Sequence, residues 1–148
     1  MDASENRQAS GLDGALADLL DLGLLAKQAR WNVVGPRFRA MQLMLDELAE
    51  FARASADFVA ERAVTLGHPP DGRGVTITTR SSLPDIEPGS LRDADAITMF
   101  VAILDAVATR IHSGLEAFER DLVSVGLLTR VLATVEKYAW MMRAQRCP

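Results

Sequence analysis

The apolar positions of the chain fall into four stretches of helical period. In the first, Leu12, Ala15, Leu16, Leu19, Ala26 and Ala29 recur at three- and four-residue steps. Ser10, with Asp13 three positions on, predicts an N-cap and its capping partner, and Gly35-Pro36 ends the stretch. The second starts near Arg37, runs through Met41, Met44, Leu45, Leu48, Ala52, Phe58 and Val59 to Leu66, then meets Gly67, His68, Pro69 and Pro70. A glycine just past a helix with prolines behind it is a stop signal, so this helix has about 29 residues and a length of roughly 43 Å. Ile97, Phe100, Val101, Leu104, Ala108, Ile111, Leu115 and Phe118 make a third stripe. Leu128, Val131, Leu132, Val135, Tyr138, Ala139 and Met142 make a fourth, with Gly126 near the joint between the two.

Between the second and third helices, Gly67 to Leu91 holds four Pro and four Gly and the run "TITTRSSLPDIEPGS". It is too long for a tight turn and predicts a crossover along the bundle, with room for a short helix or strand. A crossover of that length lets the third helix run parallel to the second, unlike a simple up-down bundle. The fold class predicted is therefore all-α, a four-helix bundle with one long crossover.

Composition narrows the setting. With 148 residues, 49% of them apolar and 24% charged, the chain fits one globular domain spanning 1–148, and residues 1–10 are expected to form a flexible tail. A net charge of −4 and a pI near 5.1 argue against a phosphate-binding surface, and the stretch before Gly11 has Arg7 as its only basic side chain. No stretch has the pattern of a signal peptide, and every apolar run is broken by a charge well before the ~20 residues of a membrane span. Cytoplasmic location without membrane association is the expectation. Cys147 is the single cysteine, can form no intrachain disulfide, and is given no role.

Candidate chemistry lies on the second helix. Gln42, Asp46, Glu50, Arg53, Asp57 and Glu61 are spaced so that they share one face, opposite Leu45, Leu48 and Ala52. A solvated face explains that pattern, yet Asp57 and Glu61 repel each other at i and i+4, which favours a compensating cation. Carboxylates on facing helices of a bundle can hold iron. The Glu-x-x-His pair of usual di-iron bundles is missing, since Glu50 is followed by Arg53 and Glu61 by Val64. His68 lies beyond the helix stop and His112 far along the third helix, so both are read as structural or solvent-facing.

The stretches "LADLLDLGLLAKQARWNVVGPRFRAMQLMLDELAE", "DFVAERAVTLGHPP", "SSLPDIEPG" and "EKYAWMMRAQ" together resemble the Dps-like mini-ferritins, over about Leu12 to Gln145. The resemblance implies a ferritin-like four-helix subunit with a short extra helix in the long connection. It also implies a homo-oligomer, a cage of twelve subunits built from two-fold dimers that oxidises ferrous iron and stores ferric oxide. In that family the ferroxidase site straddles the two-fold interface, with two His and an Asp from one subunit and an Asp and a Glu from its mate. Carried over, Asp46, Asp57 and Glu61 are intact, while the histidine positions hold Arg30 and Gln42. Gly126 also falls where an acidic pore residue is common, although Asp121 remains nearby.

A guanidinium has no acceptor and keeps its charge, so Arg30 cannot ligate a cation and would repel iron. It is suited to a forked ion pair with Asp57 or Glu61 of a two-fold mate. Alternatively, Arg30 faces solvent and the carboxylates still hold metal weakly through water. Trp31, beside the site, is expected to pack.

Two functions follow from the resemblance. One is a mini-ferritin subunit with weakened iron oxidation; the other is an inactive structural paralogue that assembles alone or mixes with active subunits. Nucleoid binding is disfavoured by charge, and a hydrolytic use of Asp57 or Glu61 lacks a nucleophile-base pair. Glu47 and Glu50 are candidates for metal binding elsewhere.

Overall fold

In the computed structural model, which describes residues 2–146, the first helix α1 spans Ala3–Asn32. Its N-cap is Asp2, whose side chain accepts from the Ser4 backbone N–H while Glu5 returns a bond to the Asp2 backbone N–H. This reciprocal box starts the helix well before the expected Ser10, and residues 3–10, expected to be part of a tail, are its opening turns. Asp13, the expected capping partner of Ser10, instead accepts from His68 Nε2 and Arg80 Nη1, each at 2.9 Å. Cys147, which received no role, lies outside the described residues.

After α1 come a two-residue strand β1 (Val33–Val34), the long helix α2 (Phe38–Thr65) and the short helix α3 (Gly74–Arg80) inside the crossover. A second short strand β2 (Leu91–Arg92) leads into α4 (Asp93–Gly114); a 3-10 turn at Leu115–Phe118 then precedes α5 (Leu122–Ala144). The third apolar stripe thus spans α4 and the 3-10 turn, and Gly126 lies inside α5, just past the joint. β1 and β2 pair in parallel, Val33 with Leu91 and Val34 with Arg92. β2 leads straight into α4 and β1 reaches α2 through the turn at 35–37, and the Arg37 backbone N–H donates to Asp93 at the start of α4, so α2 and α4 leave from the same end and run parallel, as the crossover length predicted.

The predicted stripes form the core. Leu12, Leu19, Leu22, Met41, Leu45, Leu48, Ile97, Phe100, Leu104 and Met142 are all essentially without solvent contact, and each such side chain contributes about 1.5–3 kcal/mol by leaving water. α1 and α2 approach closely because small residues face each other. A Cβ added at Gly23 would meet the Ala52 Cβ at 3.8 Å.

The crossover is tied down by polar groups on α1. Asp18, fully buried, accepts from the Ser82 backbone N–H and hydroxyl at 2.8 and 2.7 Å and from Arg110 Nη1 at 2.8 Å. Gly14 leaves the room Arg110 needs, since a Cβ there would lie 2.7 Å from the Arg110 Nε. Ser81 donates to Asp21, whose carboxyl is raised by burial, partly offset by that hydrogen bond.

At the far end, Asp121 caps α5, accepting from the Ser124 backbone N–H and hydroxyl. Arg62 of α2 donates to Asp121 from Nη2 at 2.8 Å and to Ser124 Oγ from Nε at 2.9 Å. Burial alone would raise the Asp121 carboxyl, but the bonds from Ser124 and Arg62 hold it below its ordinary value. Asp121→Ala removes both the cap and the ion pair and is expected to cost about 2–3 kcal/mol in urea unfolding. Asp105→Ala, which breaks only the exposed pair with Arg143, is expected to stay within about 0.5 kcal/mol.

Candidate metal centre

The last turns of α1 and the third turn of α2 lie side by side because the connection between them is short. Lys27 and Arg30, three positions apart on α1, face Asp46 on α2. The Lys27 ammonium donates to Asp46 Oδ1 at 2.6 Å, and Arg30 Nε lies 2.6 Å from Oδ2. The Arg30 contact is a close ion pair, although its buried Nε has no hydrogen-bond partner of good geometry among the described residues. Glu47, Glu50 and Tyr138 complete an open cleft of about 740 Å³ around this triad.

The electrostatics follow from the contacts. Lys27 first, and Arg30 second, hold the Asp46 carboxyl below its ordinary value near 3.8. A depressed folded value means the attachment contributes fully above the ordinary carboxylate range and is lost only as pH falls through the lower folded value. Burial, with the charge of Glu47 second, raises the Tyr138 phenol.

Asp57 and Glu61 stand apart from this triad. They lie eleven and fifteen residues beyond Asp46 on the same helix, about 16 and 22 Å along its axis, so one chain cannot bring all three carboxylates to one ion. Both are exposed, and neither carboxylate has a hydrogen bond or ion pair among the described residues. Gln42, one turn before Asp46, is half-buried and likewise makes no side-chain hydrogen bond among them. No group of three or more His, Cys, Asp or Glu among the described residues is placed to hold a metal ion.

Within one chain the residues therefore do not fit iron. Both Asp46 oxygens face cations, and the positions beside it offer a guanidinium and an amide.

The other expected residues are placed as follows. Trp31 was expected to pack, but it is 67% exposed in the single chain, since its position at the end of α1 points away from the bundle. His68 is structural, bound to Asp13, and His112 is exposed in the last turn of α4. Asp121, the acid retained near Gly126, is engaged by Arg62 and Ser124. Arg30 reaches Asp46 of its own chain, and none of its nitrogens donates a hydrogen bond among the described residues. Lys27, to which the sequence reading assigned no role, shares Asp46 with Arg30; its signal is the i, i+3 spacing to Arg30.

A four-helix bundle with one long crossover, carboxylates along its second helix and a Trp-Asn at the end of its first defines a ferritin-type protein, and the ferritin-like domain family matches residues 9–146. The chain belongs to that family's Dps branch, the DNA-protection-during-starvation proteins. It is 37% identical to DNA protection during starvation protein 2 of Deinococcus radiodurans over 139 residues. That match covers 93% of this chain but spans only 58% of the relative's length. The corresponding protein of Mycolicibacterium smegmatis is 35% identical over 90% of this chain and 73% of the relative. The crystal structure of Dps92 from Deinococcus radiodurans superposes with a TM-score of 0.93 at 36% identity, covering 97% of this chain and 87% of that one.

Proposed function

We propose that the chain is a subunit of a mini-ferritin cage that handles iron, with its own ferrous oxidation site weakened by Arg30 and Gln42. The observation that carries this is the Arg30 guanidinium on Asp46, where an oxygen donor would otherwise meet metal. Exposed apolar side chains at two places support a closed homo-oligomer with more than one kind of contact, twelve subunits built from two-fold dimers. They are Leu24, Trp31, Phe58 and Val64 on α1 and α2, and Leu122 and Val123 at the start of α5.

Ferrous iron would be substrate and cargo of this cage. The retained positions Asp46, Asp57 and Glu61 would meet only between two copies. Cytoplasmic location is part of the proposal, alongside the finding that no helix among the described residues is long and apolar enough to cross a membrane. The net charge of −4 argues against DNA as a partner. Anaerobic addition of ferrous iron followed by oxygen tests the reading. Oxidation is expected to run well below that of a mini-ferritin with both histidines, and a full rate would refute the weakened site.

A second reading is an inactive structural subunit, alone or mixed with active chains. Asp57 and Glu61, whose carboxylates have no partner among the described residues, favour it, since the terminal nitrogens of Arg30 make no hydrogen bond among those residues and suit a mate's carboxylates. Oxidation no faster than a protein-free blank would leave only this second reading.

A further inference from the structure

Away from Asp46, α2 and α5 leave a groove of about 560 Å³ between them, a volume within the ordinary range of small-molecule sites. Phe51, Ser55 and Phe58 line it from α2, and Gly126, Arg130 and Thr134 from α5. Contacts fix the two helices beyond both ends of the groove. Arg62 holds Asp121 and Ser124 past Phe58, and on the other side the Phe51 ring meets the Tyr138 ring at 5.6 Å. Between these points Ser55 and Gly126 are too small to close the gap, so the opening is preformed.

We propose that this groove binds a small aromatic acid, with its rings between Phe51 and Phe58 and its carboxylate on Arg130 and Ser55. Ser55 is only 5% exposed, yet its hydroxyl makes no hydrogen bond among the described residues. Thr65, Thr78 and Thr134 instead bond the carbonyl one turn back on their own helices. A buried hydroxyl ordinarily has a partner, and one facing a cavity is free to give its bond to a ligand. Arg130 is the charged side chain of the lining, and it has no ion pair or side-chain hydrogen bond among the described residues. One unpaired cation beside apolar walls suits a monoanion with an apolar body.

Gly126 gives an independent reason to regard the groove as a site. It lies inside α5, where glycine weakens a helix relative to alanine, and a Cβ there would meet nothing within 4 Å. Packing does not require glycine at this position; the missing side chain leaves the groove open. The ring class follows from Phe51 and Phe58, which are seven residues apart and so stand on one face about 10 Å from each other. Flat rings pack against such side chains in offset or edge-to-face contact, which an alkyl chain does not match. None of Asp46, Asp57 and Glu61 lines the groove, so binding there is independent of iron.

Binding of naphthalene-2-carboxylate to the assembled protein, read by calorimetry and by NMR saturation transfer, tests this. The unmodified chain is expected to bind it, and to bind octanoate and the neutral naphthalene-2-carboxamide each about fivefold to tenfold more weakly. Arg130→Gln is expected to weaken the carboxylate about tenfold through loss of a charge-assisted bond, and to leave the carboxamide unchanged. Gly126→Leu puts a side chain into the groove and is expected to abolish binding of all three, with no loss of thermal stability. Arg130 is exposed, so its variant still decides the matter if Gly126→Leu alters the assembly. No binding by the unmodified assembled chain would overturn the proposal and point to a second subunit over the groove. Binding unchanged in both variants would overturn it by placing the ligand elsewhere, and octanoate binding as tight as the naphthoate would overturn the aromatic class.

Discussion

Asp18→Ala is expected to lower stability by about 3 kcal/mol, enough to move the thermal midpoint by roughly 6–12 °C in a chain of this length. The carboxylate is fully buried and accepts two bonds from Ser82 and one from Arg110. Its removal takes the partner from the Ser82 backbone N–H and leaves the Arg110 charge without its carboxylate. The full cost of breaking a buried pair is not expected, because the Arg110 side chain keeps about one-third of its surface in water. Hydrogen exchange gives the second readout. The Ser82 amide should lose protection more than amides in the middle of α2, because two of the three bonds to Asp18 tie the crossover to α1 and only the Arg110 bond joins α1 to α4. Uniform loss across the chain would contradict that division.

Gly35→Ala is expected to cost about as much, for a different reason. Gly35 adopts φ +127°, where a side chain is strained, and a Cβ there would lie 2.7 Å from the Asp93 carboxyl carbon. Asp93 cannot move away freely, because it accepts from the Arg37 backbone N–H at 2.6 Å and the Ala94 backbone N–H at 2.8 Å. One carboxylate thus serves the starts of α2 and α4, the same end where β1 and β2 pair. Strain of about 1–3 kcal/mol adds to the loss of this contact, for an expected total near 3 kcal/mol. Gly67→Ala is the control. Its φ is +82° but a Cβ meets nothing within 4 Å, so strain alone remains, about 1–2 kcal/mol. Urea unfolding of the two variants should separate them, and equal losses would remove Asp93 from the account.

The helices were legible because burying one face imposes a period on the residues. Leu45, Leu48 and Ala52 on α2, and Phe100 and Leu104 on α4, are buried as their spacing required. Boundaries were less legible. Ser10 and Asp13 fit a helix start as well as Asp2 and Glu5 do, and the choice fell to Asp13's engagement with His68 and Arg80 from the crossover. The packing of Trp31 failed in the single chain because an amphipathic position says only that a residue lies at a boundary. It does not say whether a neighbouring helix or a second subunit covers it.

The candidate site divides in the same way. The identity of the residues at positions 30 and 42 follows from the sequence alone, and with it the absence of imidazole donors beside Asp46. So does the separation of Asp57 and Glu61 from Asp46, since eleven and fifteen residues of helix hold them about 16 and 22 Å away whatever the fold. The long crossover and the order of the four helices were likewise set by the positions of glycine, proline and the apolar stripes. What only the tertiary structure decided is which carboxylate each cation meets. Lys27 and Arg30 reach Asp46 because the turn at Gly35 folds α2 back along α1, and Arg62 reaches Asp121 because α5 starts beside the end of α2. Charge pairing depends on distances of a few ångströms between elements far apart in the chain, and the spacing of residues within one helix carries no information about them.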